Sequence, residues 1–169
     1  MIKRKDGVVT QMNKGVEFLM KKNKIDVHVG IGSFVNKNTI KVTDAEGKAT
    51  EITTGKTIIA TGSKPLNIPS IPIDKKRVIT STEALNLPEV PKHMIVIGGG
   101  VIGMELGSVY ARLGAKITVI EFADSLIPTM DKSLGKELQK VLKKEGFTFN
   151  FKTKVTGVCL LYTSPSPRD

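Results

Sequence analysis

Residues 94–121 read MIVIGGGVIGMELGSVYARLGAKITVIE, and this stretch decides the fold. Its first four residues are apolar, as in a strand that is buried on both faces of a parallel sheet. A glycine-rich turn follows, then a helical stretch at 101–113 with Gly114 just past its end, a common site for a terminating glycine. A second apolar run occupies 116–120. We therefore predict a strand, a helix and a second parallel strand, the βαβ unit of an α/β fold.

The turn matches the pattern G-x-G-x-x-G at Gly98, Gly100 and Gly103. In a dinucleotide site the first glycine permits a tight turn, and the second leaves no side chain between the backbone and the pyrophosphate. The third glycine lets the helix pack closely on the strand. The helix N-terminus then offers free N–H groups and a positive dipole end to the phosphates. Because a predicted strand precedes the motif and a predicted helix follows it, we favour a dinucleotide site over a structural glycine turn.

An acidic residue, Glu121, follows the second strand and lies 18 residues beyond Gly103. A carboxylate there can accept hydrogen bonds from the adenosine ribose hydroxyls, and it would repel the 2′-phosphate of NADP. Residues 122–124 are Phe-Ala-Asp and offer no Arg or Lys for that phosphate. We therefore predict NAD as the cofactor; the alternative is a solvated acid at a strand end. Glu105, in the first turns of the helix, is by itself explained as a carboxylate that favours the helix dipole.

The chain before this unit mixes helical and β-type patterns. An amphipathic helix is predicted at 9–22, and a buried strand at 57–60 ends at Thr61-Gly62-Ser63. Between them lie short β-type runs at 26–30, 34–36, 39–43 and 50–52. By itself, Thr61-Gly62-Ser63 is better explained as a plain turn than as a ligand contact.

Residues 64–91 hold five of the eight prolines, which is typical of an extended connection between domains. One helical turn is predicted inside it, at 81–85. After the βαβ unit, Asp131 is a predicted N-cap for a helix with Leu134, Leu138, Val141 and Leu142 on one face, and a third strand is predicted at 147–151.

The composition excludes several classes of protein. The chain of 169 residues is 40% hydrophobic and carries a net charge of +10, but its lysines are spread along the whole sequence. With two Tyr, no Trp and no nucleic-acid motif, we predict no nucleic-acid partner. No apolar run approaches the roughly 20 residues of a membrane helix. The single cysteine cannot form an internal disulfide and we see no signal peptide, so we predict a cytoplasmic protein. We predict no metal site.

The last residues break the pattern of the rest. Residues 159–169 read CLLYTSPSPRD, in which Ser-Pro-Ser-Pro is unsuited to a strand. The run resembles translated sequencing-adaptor DNA, so we predict that 159–169 is a non-native tail. The alternative is a native terminus without regular structure.

Several segments together resemble one family. They are Ala-Thr-Gly-Ser at 60–63, Val-Ile-Gly-Gly-Gly-Val-Ile-Gly-Met-Glu-Leu-Gly-Ser-Val at 96–109, Val-Ile-Glu at 119–121, Gly-Phe at 146–147 and Lys-Val-Thr-Gly at 154–157. In this order and spacing they resemble the disulfide-oxidoreductase flavoproteins of the class I pyridine nucleotide-disulfide oxidoreductase family. The resemblance covers about residues 1–158, so we expect the chain to be an internal fragment of such an enzyme.

The resemblance implies a Rossmann-like FAD/NAD(P)-binding fold from a flavoprotein with two dinucleotide-binding domains, truncated here. Residues 1–63 would be the C-terminal part of the FAD-binding domain, 64–91 the connection, and 92–158 an incomplete βαβαβ NAD-binding domain. The whole enzyme would oxidise the dihydrolipoyl group of 2-oxo-acid dehydrogenase complexes, through a redox disulfide and FAD to NAD. It would be a homodimer that meets lipoyl domains, in the cytoplasm or, in a eukaryote, in the mitochondrial matrix.

Correspondence with the family also implies site residues. NAD would be contacted by Gly98, Gly99, Gly100, Val101, Ile102, Gly103, Met104, Glu105, Glu121 and Val155. FAD would be contacted by Gly32, Thr61, Gly62 and Ser63. In the family, the position of Glu105 lies near the nicotinamide and the flavin, which gives this residue a functional role.

The sequence also departs from the family. The N-terminal glycine motif for FAD, the pair of redox cysteines and the C-terminal His–Glu pair are absent, and Cys159 matches no redox cysteine. We therefore assign no catalytic residue and expect the chain alone to be inactive. Two alternatives stay open: another member of the family, such as a mercuric or glutathione-type reductase, or a non-catalytic NAD-binding module. Glu121 disfavours the members that use NADP.

Overall fold

The structure is a computed structural model that describes residues 1–159. Apart from Cys159, which is exposed, the predicted tail lies outside the described residues. The chain divides into two compact units, one formed by Met1–Ser63 and the other by the chain from Lys64 onward. The proline-rich residues 64–91 belong to the second unit. None of the helices within residues 1–159 is both long enough and apolar enough to cross a membrane.

The first unit contains one helix and a small antiparallel sheet. Its elements are α1 (Ile2–Lys22), β1 (Ile31–Asn36), β2 (Thr39–Thr43) and β3 (Ala49–Thr53), with strand order β1-β2-β3. Short polar side chains close both hairpins. The Asn36 side chain accepts from the Asn38 amide at 2.9 Å, and Asp44 accepts from the amides of Glu46 and Lys48.

Helix α1 has the predicted periodicity but buries none of its residues. It begins seven residues earlier than predicted, at Ile2 rather than at 9. Met12, Val16 and Leu19 of its apolar stripe are 65%, 49% and 50% exposed. An amphipathic helix normally buries such a stripe against another layer, so the pattern encodes a contact that the described residues do not supply.

Two predicted strands of the first unit are wrong. Residues 26–30 are irregular, and the strand begins only at Ile31. Residues 57–60, predicted to be a buried strand, form no strand, and Ile58 is 91% exposed. An apolar run of this kind is stable as a strand only between paired neighbours, and none of the described strands pairs with it.

The second unit is a parallel sheet with helices. Its elements are α2 (Ser81–Ala84), β4 (His93–Ile97), α3 (Val101–Arg112), β5 (Lys116–Ile120), α4 (Lys132–Lys144) and β6 (Phe147–Asn150). The strand order is β4-β5-β6, and both pairings are parallel. The predicted βαβ unit and third strand are therefore confirmed. Gly114 has φ +98° just past α3, as predicted for a terminating glycine.

The core of this unit lies on one face of the sheet. Ile117 and Val119 of β5 are fully buried, and Phe147 of β6 pairs with Ile117 on the same face. Met104 and Tyr110 of α3 and Leu142 of α4 belong to the same buried cluster. Two successive crossovers of the same hand place both helices over one face, which explains why the core is one-sided.

The opposite face of the sheet is partly exposed at β4, so the prediction that this strand is buried on both faces is wrong. Ile95 and Ile97 are 58% and 41% exposed, so this strand is not buried on both faces as its apolar run predicts. β4 is also an edge strand among the described residues. In α4, Leu142 is buried and Leu138 packs on the core, whereas the predicted apolar face also contained Leu134 and Val141, which are about half exposed.

Short polar contacts fix the ends of the helices. Thr80 and Glu83 form a reciprocal capping box around α2. The Tyr110 hydroxyl donates to the Ala84 carbonyl and so ties α2 to α3, and burial raises the pKa of Tyr110. Asp131 caps α4 as predicted, and hydrogen bonds from the Ser133 hydroxyl and amide hold the pKa of Asp131 below its usual value.

We predict that Gly107→Val destabilises the second unit. A Cβ on Gly107 would lie 3.0 Å from the Phe147 ring and 3.5 Å from Ile117, so a valine side chain there would force the ring or α3 to shift. The expected loss is about 1–3 kcal/mol of unfolding free energy, as in other overpacked cores. Urea unfolding measures it. Gly7→Val is the matched control, since a Cβ there meets nothing within 4 Å; equal midpoints for the two variants would contradict the packing described here.

Candidate functional site

A glycine loop joins β4 to α3 at the carboxyl end of the strand. Gly98 has φ +102°, a conformation that side chains other than hydrogen disfavour, and its amide donates to the Ile120 carbonyl at 2.9 Å. Gly100 is the N-cap of α3 and supplies no side-chain capping bond. By helix geometry the first amides of α3, at Val101, Ile102 and Gly103, have no carbonyl acceptor within the helix. They form a positive, donor-rich end that is suited to an anion.

Glycine is needed at Gly103 and at Gly100 for two different physical reasons. A Cβ on Gly103 would lie 2.9 Å from Val96 Cγ1 and 3.1 Å from the Gly98 carbonyl oxygen. Only glycine therefore permits this approach of α3 to β4. A Cβ on Gly100 would meet nothing within 4 Å, so the space above this residue is open to a ligand. These are the separate roles that the motif predicts for the two positions.

Gly99 is constrained in a way that the motif does not reveal. Its position is variable in G-x-G-x-x-G, yet a Cβ there would lie 2.8 Å from Leu126 Cδ2 and 3.2 Å from Glu121 Oε2. The run of three glycines is the signal in the sequence, but the two crowding residues lie 22 and 27 positions away. Gly99 therefore contacts the protein, whereas Gly100 faces open space.

Glu121 connects the end of β5 to the glycine loop. Its Oε2 accepts from the Gly99 amide and its Oε1 accepts from the Ala123 amide, both at 2.5 Å. The side chain is half-buried. A carboxylate can accept about four hydrogen bonds, so two acceptor positions remain for vicinal ribose hydroxyls. The geometry places this acceptor beside the loop that would hold the pyrophosphate.

A segment after β6 supports this carboxylate, and sequence reasoning missed it. The Glu121 amide donates to the Asn150 carbonyl at 2.8 Å, and the Thr153 amide donates to the Glu121 carbonyl at 3.0 Å. The Lys152 amide donates to the Ala123 carbonyl at 2.9 Å. These residues carry no motif, because they act through backbone groups that every sequence possesses.

The remaining predicted NAD contacts differ in their exposure and in their position relative to the glycine loop. Ile102 and Glu105 are exposed on α3, near the glycine loop. Met104 is 3% exposed and belongs to the hydrophobic core, so its side chain faces the protein interior. Val155 is half-buried in the irregular stretch that follows β6. The glycine loop, the start of α3 and Glu121 form one constellation.

The predicted FAD contacts do not form a comparable site. Gly32 lies in β1 opposite Val42, whereas Thr61, Gly62 and Ser63 are exposed and lie in no strand or helix. Gly62 has φ +73°, and a Cβ there would meet nothing within 4 Å. No described residue of the first unit adds a helix N-terminus or a buried polar group beside them. The residues present fit NAD and do not by themselves hold FAD.

Comparison with known proteins identifies the family. The family model described as "Pyridine nucleotide-disulphide oxidoreductase" matches residues 2–159. The chain belongs to this family. The predicted family and the Rossmann-like α/β fold are therefore confirmed, and the predicted cofactors, NAD and FAD, are those that the family uses.

Two of the similar relatives within the family are dihydrolipoyl dehydrogenases. Mitochondrial dihydrolipoyl dehydrogenase of Pisum sativum is 45% identical over 158 residues, which are 94% of this chain and 32% of that protein. Dihydrolipoyl dehydrogenase 3 of Pseudomonas putida is 47% identical over 156 residues, 92% of this chain and 34% of its own length. The chain thus spans about a third of the length of these relatives.

Solved structures agree on the fold. The HOCl-induced flavoprotein disulfide reductase RclA of Escherichia coli superposes with a TM-score of 0.77 at 32% identity, over 92% of this chain and 35% of that one. LpdA of Mycobacterium tuberculosis gives a TM-score of 0.83 at 24% identity, over 92% of this chain and 35% of its own, and supports the fold alone.

We predict that Glu121→Ala weakens NADH binding. The variant loses the acceptor for the Gly99 amide and for the ribose, and a hydrogen bond to a charged group contributes about 1.5–3 kcal/mol. Fluorescence titration of NADH against the 169-residue chain measures the change. Glu137→Ala is the matched control, because Glu137 is exposed and pairs only with Lys140 among the described ion pairs. Equally tight binding of NADH and NADPH by the unmodified chain would contradict the role of Glu121.

Proposed function

We propose that this chain binds NAD at the glycine loop, and that it is the nucleotide-binding part of a dihydrolipoyl dehydrogenase. The observation that carries the proposal is the convergence of three features. The loop at Gly98 and Gly100 is open to a ligand, the N-terminus of α3 presents its amides there, and the Glu121 carboxylate is tied to the same loop through Gly99.

Each feature has a distinct task in binding. The amides of Val101, Ile102 and Gly103, with the positive end of the α3 dipole, would hold the pyrophosphate. Glu121 would accept the ribose hydroxyls and would exclude a 2′-phosphate by charge. Exposed Glu105, on the same helix, would lie toward the nicotinamide, and Val155 is a further proposed contact. NAD would supply the hydride acceptor of the whole enzyme.

The wider assignment follows from the relatives. Residues 1–63 would be part of the FAD-binding domain, 64–91 would form the connection, and 92–158 would be an incomplete NAD-binding domain. Gly32, Thr61, Gly62 and Ser63 would contact FAD only together with parts of the protein outside this chain. The exposed apolar stripe of α1 and the exposed run at 57–60 support this proposal, because both have the composition of buried elements.

The whole enzyme would transfer electrons from protein-bound dihydrolipoamide to NAD. We propose that it forms a homodimer and meets the lipoyl domains of 2-oxo-acid dehydrogenase complexes. Relatives named dihydrolipoyl dehydrogenase include one from a bacterium and one from plant mitochondria. The corresponding compartments would be the bacterial cytoplasm or the mitochondrial matrix.

Relatives with another name support a second candidate. Leghemoglobin reductase of Vigna unguiculata is 45% identical over 158 residues, the same figures as for the pea dehydrogenase. An enzyme that reduces a haem protein would use the same NAD site and a different electron acceptor. The described residues do not distinguish the two, because the difference lies at the acceptor and not at the nucleotide.

We predict that the 169-residue chain binds NADH but does not oxidise dihydrolipoamide. Dithiol oxidation needs one thiolate for exchange and a second cysteine to close the disulfide, and this sequence has only Cys159. The test supplies FAD, NAD and dihydrolipoamide and follows NADH absorbance, with heat-denatured chain as the control. Turnover above that control, from material free of host enzyme, would show that this chain does not need redox cysteines from the rest of the enzyme, and would refute the proposal.

A further inference from the structure

A layer formed by Leu126, Ile127 and Gly135 supports the glycine loop through Gly99. Leu126 is 2% exposed, and its Cδ2 occupies the space that a Cβ of Gly99 would need. The amide of the next residue, Ile127, donates to the Gly99 carbonyl at 2.9 Å. Gly99 is therefore held on three sides, by Glu121 at its amide, by Ile127 at its carbonyl and by Leu126 at its α-carbon.

The backbone conformation of Ile127 indicates that the surrounding structure holds its hydrogen bond to Gly99 in place. Its φ is +43°, in the left-handed region that β-branched residues rarely adopt. Such a conformation persists only where the surrounding structure determines it. The side chain of Ile127 is buried in the core cluster, while its amide points to Gly99. The two requirements together force the unusual backbone angle.

Helix α4 supports the layer through a second glycine. A Cβ on Gly135 would lie 2.6 Å from the Leu126 carbonyl oxygen, which is too close for any side chain. The Asp131 cap fixes the start of this helix one turn earlier. The backbone of α4 therefore rests directly on residue 126, and residue 126 rests on the glycine loop.

We propose that Leu126 and Gly135 are positioning residues for the dinucleotide site. They set the orientation of the Gly99 peptide, so that the Glu121 carboxylate and the first amides of α3 face the same ligand. The inference rests on the proposed NAD function, since the affinity that it predicts is for that ligand. Neither residue touches the space above Gly100; both act through Gly99.

The first experiment changes the support without changing the loop. Gly135→Ala should displace residue 126 and weaken NADH binding about tenfold, because small misplacements of a binding group are costly. Gly15→Ala is the matched control: it is also a helical glycine, a Cβ there meets nothing within 4 Å, and it should bind NADH within about twofold of the unmodified chain.

The second pair of variants separates position from mere stability. Leu126→Met keeps the volume and should bind NADH within about twofold of the unmodified chain. Leu126→Ala should bind about tenfold more weakly while circular dichroism and the thermal midpoint show a folded chain at the titration temperature. Folded Gly135→Ala and Leu126→Ala variants that both retain the unmodified affinity would overturn the proposal.

Amide exchange on the unmodified chain covers the case in which both variants fail to fold. Without added NADH, the Ile127 amide should exchange at least about tenfold more slowly than the Ile102 amide, which lacks an acceptor within its helix. Equal exchange of these two amides would overturn the proposal. If the unmodified chain binds no NADH, the proposed function fails, whereas protection of Ile127 would still show that the layer holds the loop.

Discussion

The hydrogen bond from the Gly99 amide to the Glu121 carboxylate is the contact on which the candidate site depends. It joins the ends of two neighbouring parallel strands at the edge where such sheets bind ligands. The same carboxylate accepts from Ala123 and so fixes the chain that leads to Leu126. Without this bond the glycine loop, the acidic residue and the support from α4 would be three separate features.

The sequence predicts the parts of the site that a local pattern encodes. The motif predicts the roles of Gly98 and Gly103. In the structure Gly98 has the positive φ angle of a tight turn, and Gly103 packs closely on β4. The restrictions at Gly99 and Gly135 could not be predicted. Each of them depends on a neighbour, Leu126, whose place is set by tertiary packing. Backbone contacts such as those of Lys152 leave no pattern in the sequence at all.

The fold shows the same division between local and tertiary causes. The Asp131 cap is determined within a few residues and is where the sequence predicts it. The hairpin turns and the capping box at Thr80 also depend only on residues close in sequence. The apolar run at 57–60 and the exposed side of β4 differ from the prediction, because burial needs partners. Composition predicts which residues are suited to a core, but the rest of the fold decides whether a core forms around them.

The NAD assignment is better supported than the FAD assignment, and the reason is again the difference between local and tertiary causes. A βαβ unit brings its glycine loop, helix N-terminus and acidic strand end together within 28 consecutive residues, so most of the proposed NAD contacts lie in one short segment. The residues assigned to FAD are a glycine in β1 and three exposed residues that lie in no strand or helix. A pyrophosphate needs donors that converge, and only the first arrangement supplies them. The proposed recognition of NAD therefore rests on one local segment, while the proposed FAD contacts and the chemistry of the whole enzyme would need groups that these residues do not supply.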